Sequence, residues 1–479
     1  MNDYGRRGVN REAQLQLIKI TRGDSGLLAL ATVDLAFPGL PDGERAALRS
    51  ALEAAAVPHW CDADMLARLA DDAVPPASSR WQLLRQLSIV EPFPARGTDA
   101  GNVQGSSRLA IRRMLAKAQP ERFRELSAQA ASIFEADTRP AGRIEWLYHL
   151  LTADPERGVT ELQALSRAWW STIRHEELAA LAAMLVELDD SRLLRGAAMI
   201  RARLIVTWQR LARSTSAASA ASAAGAATLS EPARQLLEAA RAIGDARLTG
   251  DACCLVGDVA RASGELVAAQ QAYAEDLAIS EELAELHPAS HSLRWDLGCA
   301  FGRVAQLEQL RGNLIAADEA YNQCLAIFRR LSGPDPANIG WLRELALAYC
   351  RCGDLARQRK NRAAAGIAYA QFLTVSEQLT ALDPGNTSWQ HGLAVAHARA
   401  GELAIADGDL GTAEDEYDQC LGILEQLTRL DLANADWERD ANLARRRHRD
   451  LVRTRRRPAD TEPVVESDRH EVLAERVNR

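Results

Sequence analysis

The stretch Leu382–Trp437, LDPGNTSWQHGLAVAHARAGELAIADGDLGTAEDEYDQCLGILEQLTRLDLANADW, opens and closes on nearly the same phrase. L-D-x-x-N-x-x-W stands at 382–389 and again at 430–437, and PDPANIGW repeats it upstream at 334–341. Other residues keep the same interval. Tyr273, Tyr321, Tyr369 and Tyr417 are 48 apart each time, with Ala269, Ala317, Ala365 and Ala413 four residues before them. Trp341, Trp389 and Trp437 share the period, and Leu293 holds the tryptophan slot one unit earlier. So many coincidences at one spacing are the mark of a repeat array.

Each unit reads as two helices. From Trp389 the apolar positions Leu393, Ala396, Ala400 and Leu403 follow helical spacing as far as the break at DGD. A second stripe runs from Ala413 through Tyr417, Cys420, Leu421, Leu424 and Leu427 and ends at LDLAN. Small residues let paired helices approach closely and the tyrosine fills the space beside them. Asp-Pro ends a helix, because proline lacks an N–H and disfavours a helical residue before it. One such pair cannot bury its apolar faces alone, so copies stack.

The order Trp, small residue, Gly-Asp/Asn, Ala, Tyr, small residue, Pro resembles the tetratricopeptide repeat (TPR), whose usual unit is ~34 residues. The resemblance covers about residues 246–450, extends throughout to bacterial proteins with an elongated unit, and implies an α-solenoid that binds a protein or peptide partner. Two slots depart from it: Lys360 stands where Gly264, Gly312 and Gly408 stand, and Leu432 replaces proline. Both departures are expected to weaken local turns.

Composition agrees. Hydrophobic residues make up 47% of the 479-residue chain and aromatics only 5%, a helix-forming balance. Of 57 basic residues only Lys19, Lys117 and Lys360 are lysines, which reads as a GC-rich genome. A net charge of -8 gives no general attraction to nucleic acid or anionic membrane. With no signal-like start and no long apolar run, a cytoplasmic protein with no membrane contact is expected. The eight cysteines, seven of them in the repeat region, are expected to be thiols.

Upstream, SRWQLLRQLSIVEPFPARGTDAGNVQGSSRLAIRRMLAKA (79–118) reads helix, strand, Gly-rich turn, strand, helix, the outline of a winged helix. With AQAASIFE and EWLYHLL after it, the region 25–210 looks like the part following the nucleotide-binding core of STAND signalling ATPases. There a Met-His-Asp type motif and a following Arg meet nucleotide. The matching positions are Val103, Gln104, Gly105 and Arg108, without the histidine. No lysine follows a glycine, so no phosphate loop is present and no cofactor is expected.

The fold class expected is therefore all-α with a small β wing: an α-solenoid of TPR-like pairs after a helical and winged-helix module. The expected divisions are an N-terminal segment 1–24, partly disordered, a helical module 25–77 and a winged-helix-like module 78–127. Helical hairpins 128–213, a flexible Ala/Ser linker 214–230, the array with its capping helix 231–450 and a charged tail 451–479 follow.

Candidate sites are few. His287 and His291 lie in an inter-unit loop around Pro288 with no nearby carboxylate or cysteine, which suits a metal poorly. Cys253–Cys254 and Cys350-Arg-Cys352 lack the spacer of metal or redox pairs, and Cys324 and Cys420 occupy a helix-packing slot. No protease or hydrolase signature appears, so no enzyme is expected. DNA binding would use Arg108, Arg112, Arg113 and Lys117, but these are also ordinary solvated helix positions, and nucleic acid is not the expected partner. The run RRRHRDLVRTRRR (445–457) reads as a solvated end cap.

Two rows in register offer a binding surface. Phe301, Tyr349 and His397 follow the tryptophan slot by eight residues, and Arg303, Arg351 and Arg399 lie on the other flank of the same helix. They either fill contacts between units or form a ladder gripping a peptide in the concave groove. The overall expectation is a non-enzymatic interaction scaffold; the alternative is a regulatory subunit whose NTPase or effector lies on another polypeptide.

Overall fold

The phrase that opens each unit is a helix start. In the computed structural model, the Asn338 side chain accepts the Trp341 amide (3.2 Å), Asn386 accepts those of Ser388 (3.0 Å) and Trp389 (3.4 Å), and Asn434 accepts that of Trp437 (3.2 Å). Ser290 does the same for Leu293. Each cap satisfies an amide that the first helical turn leaves without a partner.

The structure describes residues 21, 24–70, 77–215, 220–432 and 434–456. Nearly all of segment 1–24 and the tail beyond 456 lie outside them. The chain divides into two units, the first made of residues up to Arg167 with His175–Val206, the second of Ala168–Arg174 with everything from Thr207.

The first unit begins with α1 (Ser25–Leu30), α2 (Thr32–Ala36), α3 (Asp42–Ala55), α4 (Ala63–Leu69) and α5 (Ala77–Leu84). β1 (Val90–Pro92) and β2 (Gly101–Val103) then pair antiparallel, Val90 opposite Val103, and lead into α6 (Gly105–Ala118). Buried Trp81 ties the hairpin to α5, its indole N–H donating to the Asp99 carbonyl (2.8 Å). α7 (Pro120–Phe134), α8 (Pro140–Ala153), α9 (Pro155–Ser171), α10 (His175–Asp190) and α11 (Gly196–Thr215) follow. The boundary expected at 127/128 falls inside α7.

Of the expected flexible linker 214–230, residues 216–219 lie outside the described ones, and the described remainder is largely helical. α11 runs on to Thr215, and Ala220–Ala227 form a further helix, α12, packed on α14 (Ala246–Ala262), with α13 (Ser230–Ile243) between them in sequence. Alanine is the strongest helix former, and it outweighs the low complexity of this segment.

Four hairpins stack in the second unit: α14 with α15 (Leu266–Leu286), α16 (His291–Leu310) with α17 (Leu314–Ser332), α18 (Ile339–Gln358) with α19 (Arg362–Leu382), and α20 (Thr387–Asp407) with α21 (Leu410–Leu430). α22 (Ala435–Arg456) packs on α21 and runs six residues past the expected end of the array. This part of the chain is an all-α solenoid.

Tyr273, Tyr321, Tyr369 and Tyr417 are at most 1% exposed. Each ring lies against a small residue of the partner helix. A Cβ on Gly257 or Gly353 would come within 2.4 Å of the Tyr273 or Tyr369 ring, and one on Gly401 within 3.0 Å of Tyr417. Those glycines also keep the 48-residue period, with Ala305 in the second unit.

Lys360 carries backbone strain at its turn. It takes φ 59°, beside Gly264, Gly312 and Gly408 at 81–82°. An L side chain in that region costs ~1–2 kcal/mol. Lys360→Gly should therefore raise stability by about 1 kcal/mol, read as a higher urea midpoint with unchanged slope.

Candidate functional site

The arginine row is a lacing. Arg399 reaches back from α20 to Asp354 of α18, with Nε 3.1 Å from Oδ1, and Nη1 lies 3.1 Å from Glu402 of its own helix. Arg351 reaches back in the same way. The Gln306 amide, oriented with its oxygen toward it, accepts from Nη1 (2.7 Å) and Nε (2.9 Å). Arg303 approaches Asp258 (3.9 Å) and Asp276 (3.8 Å). The acceptors at 258, 306 and 354 carry the 48-residue period, so arginine and acceptor stand in the same register at three joints, bonded at the Arg351 and Arg399 joints and apart at the Arg303 joint.

Two of these acceptors also hold tyrosines. Tyr273 donates to Asp258 (2.7 Å) and Tyr369 to Asp354 (2.7 Å), while Tyr321 bonds Gln309 (3.1 Å). Among the described residues the buried Tyr417 hydroxyl has no hydrogen-bond partner. Removing Tyr369's hydroxyl leaves Asp354 short of a donor, and Tyr369→Phe should cost ~1–2 kcal/mol. Tyr417→Phe should stay within about 0.5 kcal/mol of the parent, because nothing is lost. Urea midpoints of the two variants, measured side by side, check the contrast.

The aromatic row is packed within the array. Tyr349 is 5% exposed and its hydroxyl accepts from Arg329 (2.8 Å), whose guanidinium also lies over the ring. Phe301 is half-buried among the cores around Tyr321 and Phe328, and His397 bonds Glu416 (2.7 Å). With Arg399 only 2% exposed, the structure does not present an open ladder of six rungs. Trp389 is buried, and Trp341 and Trp437 pack half-buried against the core clusters.

Arg303 and Arg351 do meet open space. On the face of α14, α16 and α18 lies a cavity of about 230 Å³. Arg261, Arg303, Arg343 and Arg351 line it with Asp258 and Glu344, and three tryptophans join them: Trp170, Trp208 and Trp295. Trp208 is aimed by its indole N–H, which donates to Asp258 (3.2 Å). Arg343 is paired with Glu344. Burial pushes the Cys324 thiol up to about 12 and Cys299 well above the ordinary thiol range, so both lining cysteines are neutral. The 48-residue period marks two of these cations, Arg303 and Arg351, but not the indoles. Trp170 and Trp208 lie outside the repeat, and Trp295 sits two residues past its slot, so no periodicity exposes them.

Segments of the chain outside the repeats pack on this same face. Asn386 donates to the Thr172 carbonyl (3.4 Å), and Ile173, at φ 55°, packs against the cluster containing Trp295 and Trp341. Leu211, Ala212 and Thr215 of α11 form part of the cavity wall.

In the first unit the expected solvated arginines of α6 are a correction. Arg108 is 4% exposed, donating to Tyr148 (2.9 Å) and to both oxygens of Glu187, and Arg112 is wholly enclosed, its guanidinium 4.2 Å from the Tyr148 ring centre. Carboxylates and an aromatic face in the core draw them in, leaving Arg113 and Lys117 too few for a DNA-reading helix. His59 bridges Glu145 (2.8 Å) and Glu187 (3.3 Å), and burial holds neighbouring His149 down at about 4.

The basic capping helix is also engaged: Arg445 pairs with Glu425, His448 with Asp418 and Arg455 with Glu414. His291 lies edge-on to Trp341. Among the described residues no group of three or more His, Cys, Asp or Glu is arranged to hold a metal, all eight cysteines are free thiols, and no helix is long and apolar enough to cross a membrane.

No family model matches the chain, and no curated protein does. Among solved structures it is similar to a STAND protein with a tetratricopeptide repeat sensor from Pyrococcus horikoshii, at 14% identity over 94% of this chain and 71% of that one, TM-score 0.40. It is also similar to a Rap protein complexed with competence and sporulation factor, at 12% identity over 89% and 98%, TM-score 0.33. BtubC from P. vanneervenii matches at 17% identity over 54% of this chain and 99% of that one, TM-score 0.32.

Proposed function

We propose that the protein is a non-enzymatic, cytoplasmic scaffold of bacterial type whose TPR-like array holds a protein or peptide partner. The observation that carries this reading is that the array already grips polypeptide. Residues Ala168–Arg174 and the end of α11 lie on its first-helix face through the Asn386 side chain's bond to the Thr172 carbonyl, an indole–carboxylate bond and the partly buried Ile173. The recurring residues are consumed in holding the stack, so a rigid surface is offered with little ordering cost on binding. In this reading Arg303 and Arg351, which line the cavity on that face, contribute to partner binding.

A second reading follows from the helix–hairpin–helix order of α5, β1, β2 and α6. As a STAND-like winged helix, it would make the chain a regulatory subunit docking an NTPase or effector on a separate polypeptide. Retention of native-host proteins on the immobilised full chain tests both. The scaffold reading expects a set of proteins lost with Trp170→Ala/Trp208→Ala. A set insensitive to those changes and containing a P-loop protein favours the second, and ATP hydrolysis by the purified chain contradicts both.

A further inference from the structure

The cavity beside α14, α16 and α18 has a chemistry of its own. Its volume of about 230 Å³ far exceeds the ~30 Å³ share of one water, and approaches that of small-molecule sites. Four guanidinium groups line the wall with Asp258 and Glu344, and Asp276 stands behind Arg303, which leaves a modest excess of positive charge. Three indoles supply flat apolar surface.

Arg303 is the decisive group. Its guanidinium carries five N–H donors, yet Asp258 and Asp276 stand 3.9 and 3.8 Å away, beyond hydrogen-bond distance. Among the described residues it makes no hydrogen bond, unlike Arg399 at the equivalent joint, which bonds Asp354 and Glu402. Its side chain is 31% exposed and lines the cavity, so its donors are accessible to an acceptor that enters there. A planar acceptor entering the cavity would meet the fork bidentately.

We propose that this cavity binds a small aromatic carboxylate, its carboxylate on Arg303 and its ring against the Trp208 and Trp295 indoles. The cavity shares Arg303 and Trp208 with the face proposed above for a protein partner, and purified full-length chain with no partner present tests the small-molecule site separately.

Isothermal titration calorimetry with 1-naphthoate is the experiment, with naphthalene-1-methanol (ring without charge) and acetate (charge without ring) as comparators. Saturable one-to-one binding of naphthoate is expected, with each comparator at least about tenfold weaker. Arg303→Gln should weaken naphthoate about tenfold and leave the alcohol unchanged. Gly302→Leu supplies a steric arm. A Cβ there meets only Arg351 and Cys324 at 3.5 Å, and the longer side chain fills the space without removing a charge, so naphthoate binding should be lost. No saturable binding to the parent protein, equal binding of acid and alcohol, or naphthoate binding indifferent to Arg303→Gln would overturn the assignment. Should Arg303→Gln fail to give the parent circular dichroism spectrum, Gly302→Leu decides, and unchanged binding there overturns it.

Discussion

Arg399→Met should lower stability by ~3–5 kcal/mol, the range for removing one member of a buried ion pair. Methionine keeps most of the side chain's length, so the loss is chiefly electrostatic. Asp354 and Glu402 would be left facing each other at a joint where Arg399 is 2% exposed. Adding Asp354→Asn should return part of that cost, because one of the stranded charges disappears; the double-mutant cycle isolates the pair. Urea unfolding followed by circular dichroism measures it. A loss under about 1 kcal/mol would mean that water reaches these carboxylates, and the lacing would then contribute little.

A slope in the pH dependence of stability should trace to Asp276. Burial raises its carboxyl from 3.8 to about 7, Arg303 opposes the rise, and Asp251, Asp258 and Asp296 reinforce it. The neutral form is therefore favoured in the folded chain, which keeps a proton that the unfolded chain releases between pH ~4 and ~7. Stability contributed by this group falls as pH rises through that window, by up to about 4 kcal/mol. Asp276→Asn removes the titration. The variant should be relatively more stable at pH 8 than at pH 5 when each is compared with the parent protein. Other groups titrate in both proteins, so the difference between the two urea-midpoint curves isolates Asp276. Parallel curves would refute the assignment.

The array was legible because its frame recurs. Tyrosine, tryptophan and the arginine row stand at one period, and each proves to hold the same place in successive hairpins. The period did not reveal what an arginine touches. Arg303 and Arg399 look equivalent in sequence, yet one borders a cavity and the other is sealed, because the enclosure comes from residues outside the repeat. Trp170, Trp208 and Leu211 carry no periodic signal. The same limit explains α6, where Arg108 and Arg112 sit at positions that helical spacing places among solvated residues. Their partners Tyr148 and Glu187 lie 40 and 79 residues from Arg108 in sequence and are joined to it only by tertiary packing. At 220–227 composition misled, since an alanine run free of other pattern still has the backbone preference of alanine.

The lacing has a direction: every arginine reaches toward the unit before it. Shortening the chain from its C-terminal end orphans an acid or amide on the last hairpin kept, whereas shortening from the other end orphans a guanidinium. The two cuts are thus chemically unlike, and a spare hairpin inserted at any joint brings its own hook and its own eye.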